Sequence, residues 1–168
     1  MRLRNVLIIF LMVVAEPTYL GAVDPPEFVL LWNGIYTVSS AEKFDDPTQV
    51  TGKRSEAEQA THLRDTTRIP ARLGTRFGIG FMFRGRPDAD FVKYRVVWRF
   101  PSIGIKNPKT KKTTSFVAFD RSCEINSRRC FRGYVFDEPW ELVPGRWRLE
   151  IWMAQKMIYQ QEFEVMMP

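Results

Sequence analysis

The chain has 168 residues, with 45% apolar and 14% aromatic content, which is enough to fill one core and argues against global disorder. Its formal net charge of +6 favours anionic partners, although charge by itself speaks mainly to solubility and non-specific attraction. With a single histidine, His62, and two cysteines, a zinc site of about four ligands is disfavoured, and no cofactor is expected.

The first segment, Met1-Arg2-Leu3-Arg4-Asn5, is short and basic, and an unbroken apolar run follows from Val6 to Ala15. Glu16-Pro17 ends the run, and Gly21-Ala22 makes a small-residue exit. This is the layout of a cleavable signal peptide over residues 1–22, with cleavage after Ala22 preferred over Ala15. The run is too short to cross a bilayer, which takes roughly 20 residues. A periplasmic or secreted protein is therefore expected, with one domain over residues 23–168 and no membrane span after cleavage.

Asp24-Pro25-Pro26-Glu27 is a stiff start that cannot continue a helix. Phe28 to Val38 reads as a first strand, with a bulge or bend at Asn33-Gly34. Residues 39–65 are polar and without sustained period, so they read as a long loop with a turn of helix or an edge strand near Gln49-Val50-Thr51. Thr66 to Leu73 is a strand placed at a sheet edge by Pro70. In Phe77 to Phe83, Phe77, Ile79, Phe81 and Phe83 share one face, while Gly78 and Gly80 leave room for a close approach on the other. Phe91 to Phe100 alternates likewise, with Val92, Tyr94, Val96 and Trp98 on its apolar side.

Pro101 to Lys112 is a Pro/Gly/Lys loop. Thr113 to Phe119 and Arg129 to Phe136 are expected to pair as a hairpin about Asn126-Ser127, which would set Cys123 opposite Cys130 as a cross-strand disulfide in an oxidising compartment. A two-residue loop would make them a hydrogen-bonded pair, the less suitable geometry for such a bond. After the Pro144-Gly145 turn, Trp147, Leu149, Ile151 and Met153 fall on one face, and Arg146, Arg148, Glu150 and Trp152 on the other. Ala154-Gln155-Lys156 reverses the chain into a last strand with Met157, Tyr159, Phe163 and Val165 inward. About eight strands, turn signals every 8–15 residues and no amphipathic helix predict an all-β, immunoglobulin-like antiparallel β-sandwich of about 7–9 strands. The Cys…Trp…Cys spacing of immunoglobulin domains is absent.

Several clusters carry a resemblance over roughly residues 34–165. They are Gly34-Ile35-Tyr36, Ile69-Pro70 with Gly74 and Phe77-Gly78, Phe100-Pro101 with Gly104 and Pro108, Gly133-Tyr134 with Phe136-Asp137, and Trp140-Glu141-Leu142 with Pro144-Gly145 and Trp147. Together they resemble an uncharacterised bacterial family of exported or envelope-associated domains of immunoglobulin-like type. The resemblance implies no activity and no ligand, and the cysteine pair is not part of it.

Catalytic patterns are sparse. His62 has no G-x-S-x-G elbow to serve, and the acidic residues Asp45/Asp46, Asp88/Asp90 and Asp137/Glu138/Glu141 sit where turns ordinarily place them. An enzyme is not expected. Lys106, Lys109, Lys111 and Lys112 crowd one loop that could track an acidic polymer, or simply be a solvated hairpin tip. Trp152, on a polar face, is the candidate for an exposed aromatic contact, with burial under the long loop as its alternative. The residues thus favour a non-catalytic exported domain that binds an envelope protein. A carbohydrate- or anionic-polymer-binding module using Trp152 and the lysine loop is the alternative, and an envelope hydrolase a remote one. Nucleic acid is not an expected partner.

Overall fold

The computed structural model describes residues 25–57, 59–85, 90–126 and 129–168. The expected signal segment over residues 1–22 and Asp88 lie outside the described residues. In chain order the strands are β1 (Glu27–Val38), β2 (Glu42–Asp45), β3 (Lys53–Glu56), β4 (Ala60–Asp65), β5 (Arg68–Pro70), β6 (Arg76–Arg84), β7 (Phe91–Arg99), β8 (Ile105–Lys106), β9 (Thr113–Thr114), β10 (Phe116–Glu124), β11 (Cys130–Val135), β12 (Gly145–Met153) and β13 (Lys156–Met166). A 3₁₀ turn, Pro139–Glu141, precedes β12.

Nine strands make two sheets packed face to face, in the orders β11-β6-β1-β4 and β10-β7-β12-β13-β5. All pairings are antiparallel except the short parallel contact of β13 with β5. Two hairpins, β2–β3 and β8–β9, stand outside the main sheets. The architecture is the immunoglobulin-like β-sandwich expected from the alternation.

The inner faces are those the period-2 pattern marks. Phe77, Ile79, Phe81 and Phe83 of β6 are fully buried, as are Trp147, Leu149 and Ile151 of β12, and Val92, Tyr94, Val96 and Trp98 of β7 are buried beside them. Phe77 meets Trp98, Trp147 and Phe163 edge-on at 5.4, 5.9 and 5.3 Å, the geometry favoured by ring quadrupoles. Each such side chain contributes about 1.5–3 kcal/mol on burial, so this aromatic layer dominates cohesion. Gly78 and Gly80 provide the expected close approaches. A Cβ on Gly78 would stand 2.1 Å from the Arg132 carbonyl, and one on Gly80 2.2 Å from the Trp32 indole. Gly34, at φ +136°, lets β1 pass within contact of the Arg64 carbonyl.

Three expectations are corrected. Residues 39–65 are not one loop: they form the β2–β3 hairpin and β4, with Gln49-Val50-Thr51 in the turn between β2 and β3 rather than in a strand. His62 therefore lies in a strand, stacked on Trp32 at 5.2 Å with Nε2 3.1 Å from Asp65, rather than in a solvated loop. Second, β10 and β11 do not pair. β10 is bonded to β7 and β11 to β6, so the chain crosses from one sheet to the other between the cysteines. The Cys123–Cys130 disulfide forms, and it ties the two sheets together at a Cα separation of 6.2 Å. Third, Met157 points outward, 39% exposed. An irregularity opposite Ile151 and Trp152 pairs Ile151 with Tyr159 but Trp152 with Met157, and cross-strand partners share a face.

Candidate functional site

β10 and β11 are the outermost strands of their sheets on the same side of the sandwich. Neither has a hydrogen-bonded strand on its outer side among the described residues. Between them runs a groove of about 760 Å³, closed at one end by the disulfide and walled by the β2–β3 hairpin. The hairpin is pinned at two points. Lys43 Nζ donates to Asp137 Oδ1 at 3.0 Å, and the buried Asn107 Nδ2 donates to the Val50 carbonyl at 3.0 Å.

Alternation decides what faces this groove. In β10, Val117, Phe119, Arg121 and Cys123 occupy the inward register, and in β11 Cys130, Arg132 and Tyr134 do so. Two arginines thus sit where the pattern asks for apolar side chains, and Arg54 of the hairpin joins them in the groove lining. Each guanidinium rests on a ring: Arg121 on Phe119 at 4.4 Å, Arg132 on Tyr94 at 5.3 Å, and Arg54 on Phe44 at 5.4 Å. Glu56 pairs with Arg54 at 3.0 Å, whereas Arg121 and Arg132 have no ion pair among the described residues. Their remaining bonds run to neighbouring backbone: Arg121 Nη1 donates to the Asp120 carbonyl, and Arg132 Nη1 to the Phe131 carbonyl.

The electrostatics record this crowding. Burial, then the charges of Arg132 and Arg54, push the Arg121 pKa below its ordinary value. Burial does the same to Arg132, partly offset by Tyr94. Burial raises Tyr94, and it pushes Tyr36, which lines the same groove beside Arg76, up to about 12.

The acidic group at Asp137, Glu138 and Glu141 is structural. Glu141 is 1% exposed, accepts from the Tyr134 hydroxyl, and accepts the Asp137 and Glu138 amides at 2.9 and 2.8 Å, closing the capping box of the 3₁₀ turn. Burial raises its pKa against the pull of those bonds.

The residues singled out from the sequence lie elsewhere and apart. Trp152 is half-buried on the outer face of β12, its indole donating to Glu150 Oε2 at 3.0 Å, with no ring stacked on it among the described residues. Glu150, 2% exposed, also meets Arg99 Nε at 2.7 Å and Arg148 Nε at 2.9 Å. Burial pushes its carboxyl up, but bonds from Arg99 and Trp152 and the two positive charges outweigh this and hold its pKa low. Lys106, Lys109, Lys111 and Lys112 are exposed on the β8–β9 hairpin, whose turn Asn107 organises by accepting the Lys109 and Thr110 amides at 2.9 and 3.3 Å. The available signal for the groove was a charge at an apolar register position, in Val117–Cys123 and again in Cys130–Tyr134.

Among solved structures, an immunoglobulin-like protein from Pseudomonas aeruginosa matches with a TM-score of 0.57 at 22% identity, covering 83% of this chain and 97% of its own. At that identity the likeness concerns the fold alone. The alkylpurine DNA glycosylase AlkC of Pseudomonas fluorescens, solved bound to DNA with an abasic-site analogue, overlaps with a TM-score of 0.37 at 18% identity over 59% of this chain and 27% of its own, too loosely to bear on function. No curated protein matches the chain. A family model described as a domain of unknown function, DUF3859, matches residues 25–165.

Proposed function

We propose that this chain, which belongs to the DUF3859 family of domains of unknown function, is a non-catalytic domain of the bacterial cell envelope that binds another envelope protein along the groove between β10 and β11. The carrying observation is that the two strands bordering that groove, β10 and β11, each have an outer edge unpaired among the described residues, β10 being nine residues long. A free edge offers backbone donors and acceptors to an extended segment, and the groove walls supply side-chain selectivity. Trp152 supports the sugar-binding alternative less well, since its indole is committed to Glu150 and no second ring among the described residues forms a platform with it.

A photo-crosslinking residue at Ser122, an exposed groove position of β10, tests this in the full chain expressed in its native envelope, with Gln160 on β13 as the remote control. A discrete protein adduct from Ser122 and none from Gln160 is expected. Equal adducts from both positions, or none from either, would overturn the reading.

A further inference from the structure

We infer that Arg54, Arg121 and Arg132 form an oxyanion-binding site in the groove, and that the group it takes is a carboxylate borne by an extended acidic segment of the partner. The inference rests on the groove being the partner-binding surface and adds the chemistry of what is bound. Two buried polar atoms here have no hydrogen-bond partner among the described residues: Arg54 Nε and Arg132 Nε. Both can only donate, and they come from two strands, β3 and β11. Buried donors left unsatisfied are costly, and an oxyanion is the ligand that satisfies several at once. Each guanidinium sits over a ring, Phe44, Phe119 or Tyr94, and spends one terminal nitrogen on Glu56, the Asp120 carbonyl or the Phe131 carbonyl, so part of its fork of N–H groups remains for a ligand, and such a fork is what arginine has and lysine lacks. Charge points the same way, because among the described residues Glu56 is the one carboxylate that forms an ion pair with this trio of arginines, through Arg54. Burial first, and then the neighbouring charges of Arg132 and Arg54, lower the Arg121 pKa, in keeping with three cations gathered at one place.

Shape selects the carrier of the anion. The site lies between two strand edges and beneath the β2–β3 hairpin, with Phe44 and Val50 in the lining. A flat bilayer surface cannot reach it, whereas an extended chain can lie along β10 and project alternate side chains inward.

The test is a titration of the full chain with two labelled ten-residue peptides, one alternating Glu and Thr and the other Gln and Thr. The acidic peptide is expected to bind about tenfold more tightly, as charge-assisted bonds replace neutral ones. Arg132→Gln or Arg121→Gln should erase the preference, and Glu56→Gln should increase it. Sodium glutarate alone, followed by the arginine Nε–H resonances, reads the anion site without strand docking. Saturable shifts at Arg54 and Arg132 are expected. Equal affinity for the two peptides, or a preference unchanged in folded Arg132→Gln and Arg121→Gln proteins, overturns the oxyanion site, as does the absence of any glutarate shift. Glutarate shifts with neither peptide binding would keep the anion site and overturn strand docking instead. Circular dichroism establishes folding, and Arg121→Lys, which keeps the charge but not the fork, should retain only part of the preference.

Discussion

Removing the disulfide should loosen the wall of the groove and lower stability by an amount that can be worked out. Cys123 and Cys130 are seven positions apart and close a loop of about eight residues. The chain-entropy argument gives roughly 2.5 kcal/mol at 25 °C for a loop of that length. Both cysteines are buried, at 2% and 8% exposure, so a Cys123→Ala/Cys130→Ala protein also loses two packed sulphurs, which adds about 1 kcal/mol. The sum, about 3.5 kcal/mol, corresponds to a fall in Tm of about 10–14 °C for a domain of this size. Urea unfolding followed by the fluorescence of the buried Trp98 and Trp147 reads the difference, with the native protein kept oxidised. Because the bond joins two sheets, β10 and β11 should also separate, weakening the acidic-peptide preference while the m-value stays nearly unchanged. A loss below about 1 kcal/mol with the preference intact would refute the reasoning, since the sheets would then be held at this side by packing alone.

Glu150→Gln should destabilise the domain by about 1–3 kcal/mol at pH 7, because two guanidinia lose their counter-charge. The folded Glu150 pKa is depressed, so its stabilisation is present above the ordinary carboxylate range and is lost as pH falls through the depressed value; denaturation curves of variant and native protein should converge in acid. Gly78→Ala drives a Cβ against the Arg132 carbonyl at 2.1 Å and should cost about 2 kcal/mol or more while raising amide exchange in β11; unchanged exchange would count against the predicted opening of that strand. Asn107→Ala removes the buried bond to Val50 and the turn bonds to Lys109 and Thr110, about 1–2 kcal/mol, and should speed amide exchange across residues 46–52 ahead of the core.

Which side chains form the core could be read from the sequence. Phe77 to Phe83, Val92 to Trp98 and Trp147 to Ile151 alternate with period two, and the side chain of a strand residue must leave one face or the other, so local order alone determines the inner set. The same reasoning predicts a sandwich and puts Pro70 at a sheet edge, where β5 lies. It has no access to strand pairing. A strand has two edges as well as two faces, and alternation is silent about which edge meets which neighbour. That is why β10 and β11, adjacent in sequence and expected as a hairpin, belong to different sheets, and why Cys123–Cys130 spans the sandwich. Met157 shows the same limit on a smaller scale, since one extra residue in a ladder reverses a face that simple counting had assigned inward. The groove follows from these pairings. Arg54 is far from Arg121 and Arg132 along the chain, and only the placing of two open edges side by side, with the hairpin folded over them, brings the three guanidinia into one groove, where Arg54 Nε and Arg132 Nε lack a hydrogen-bond partner among the described residues. Burial can be inferred from local periodicity; convergence of charge depends on long-range pairing, which the tertiary structure alone decides.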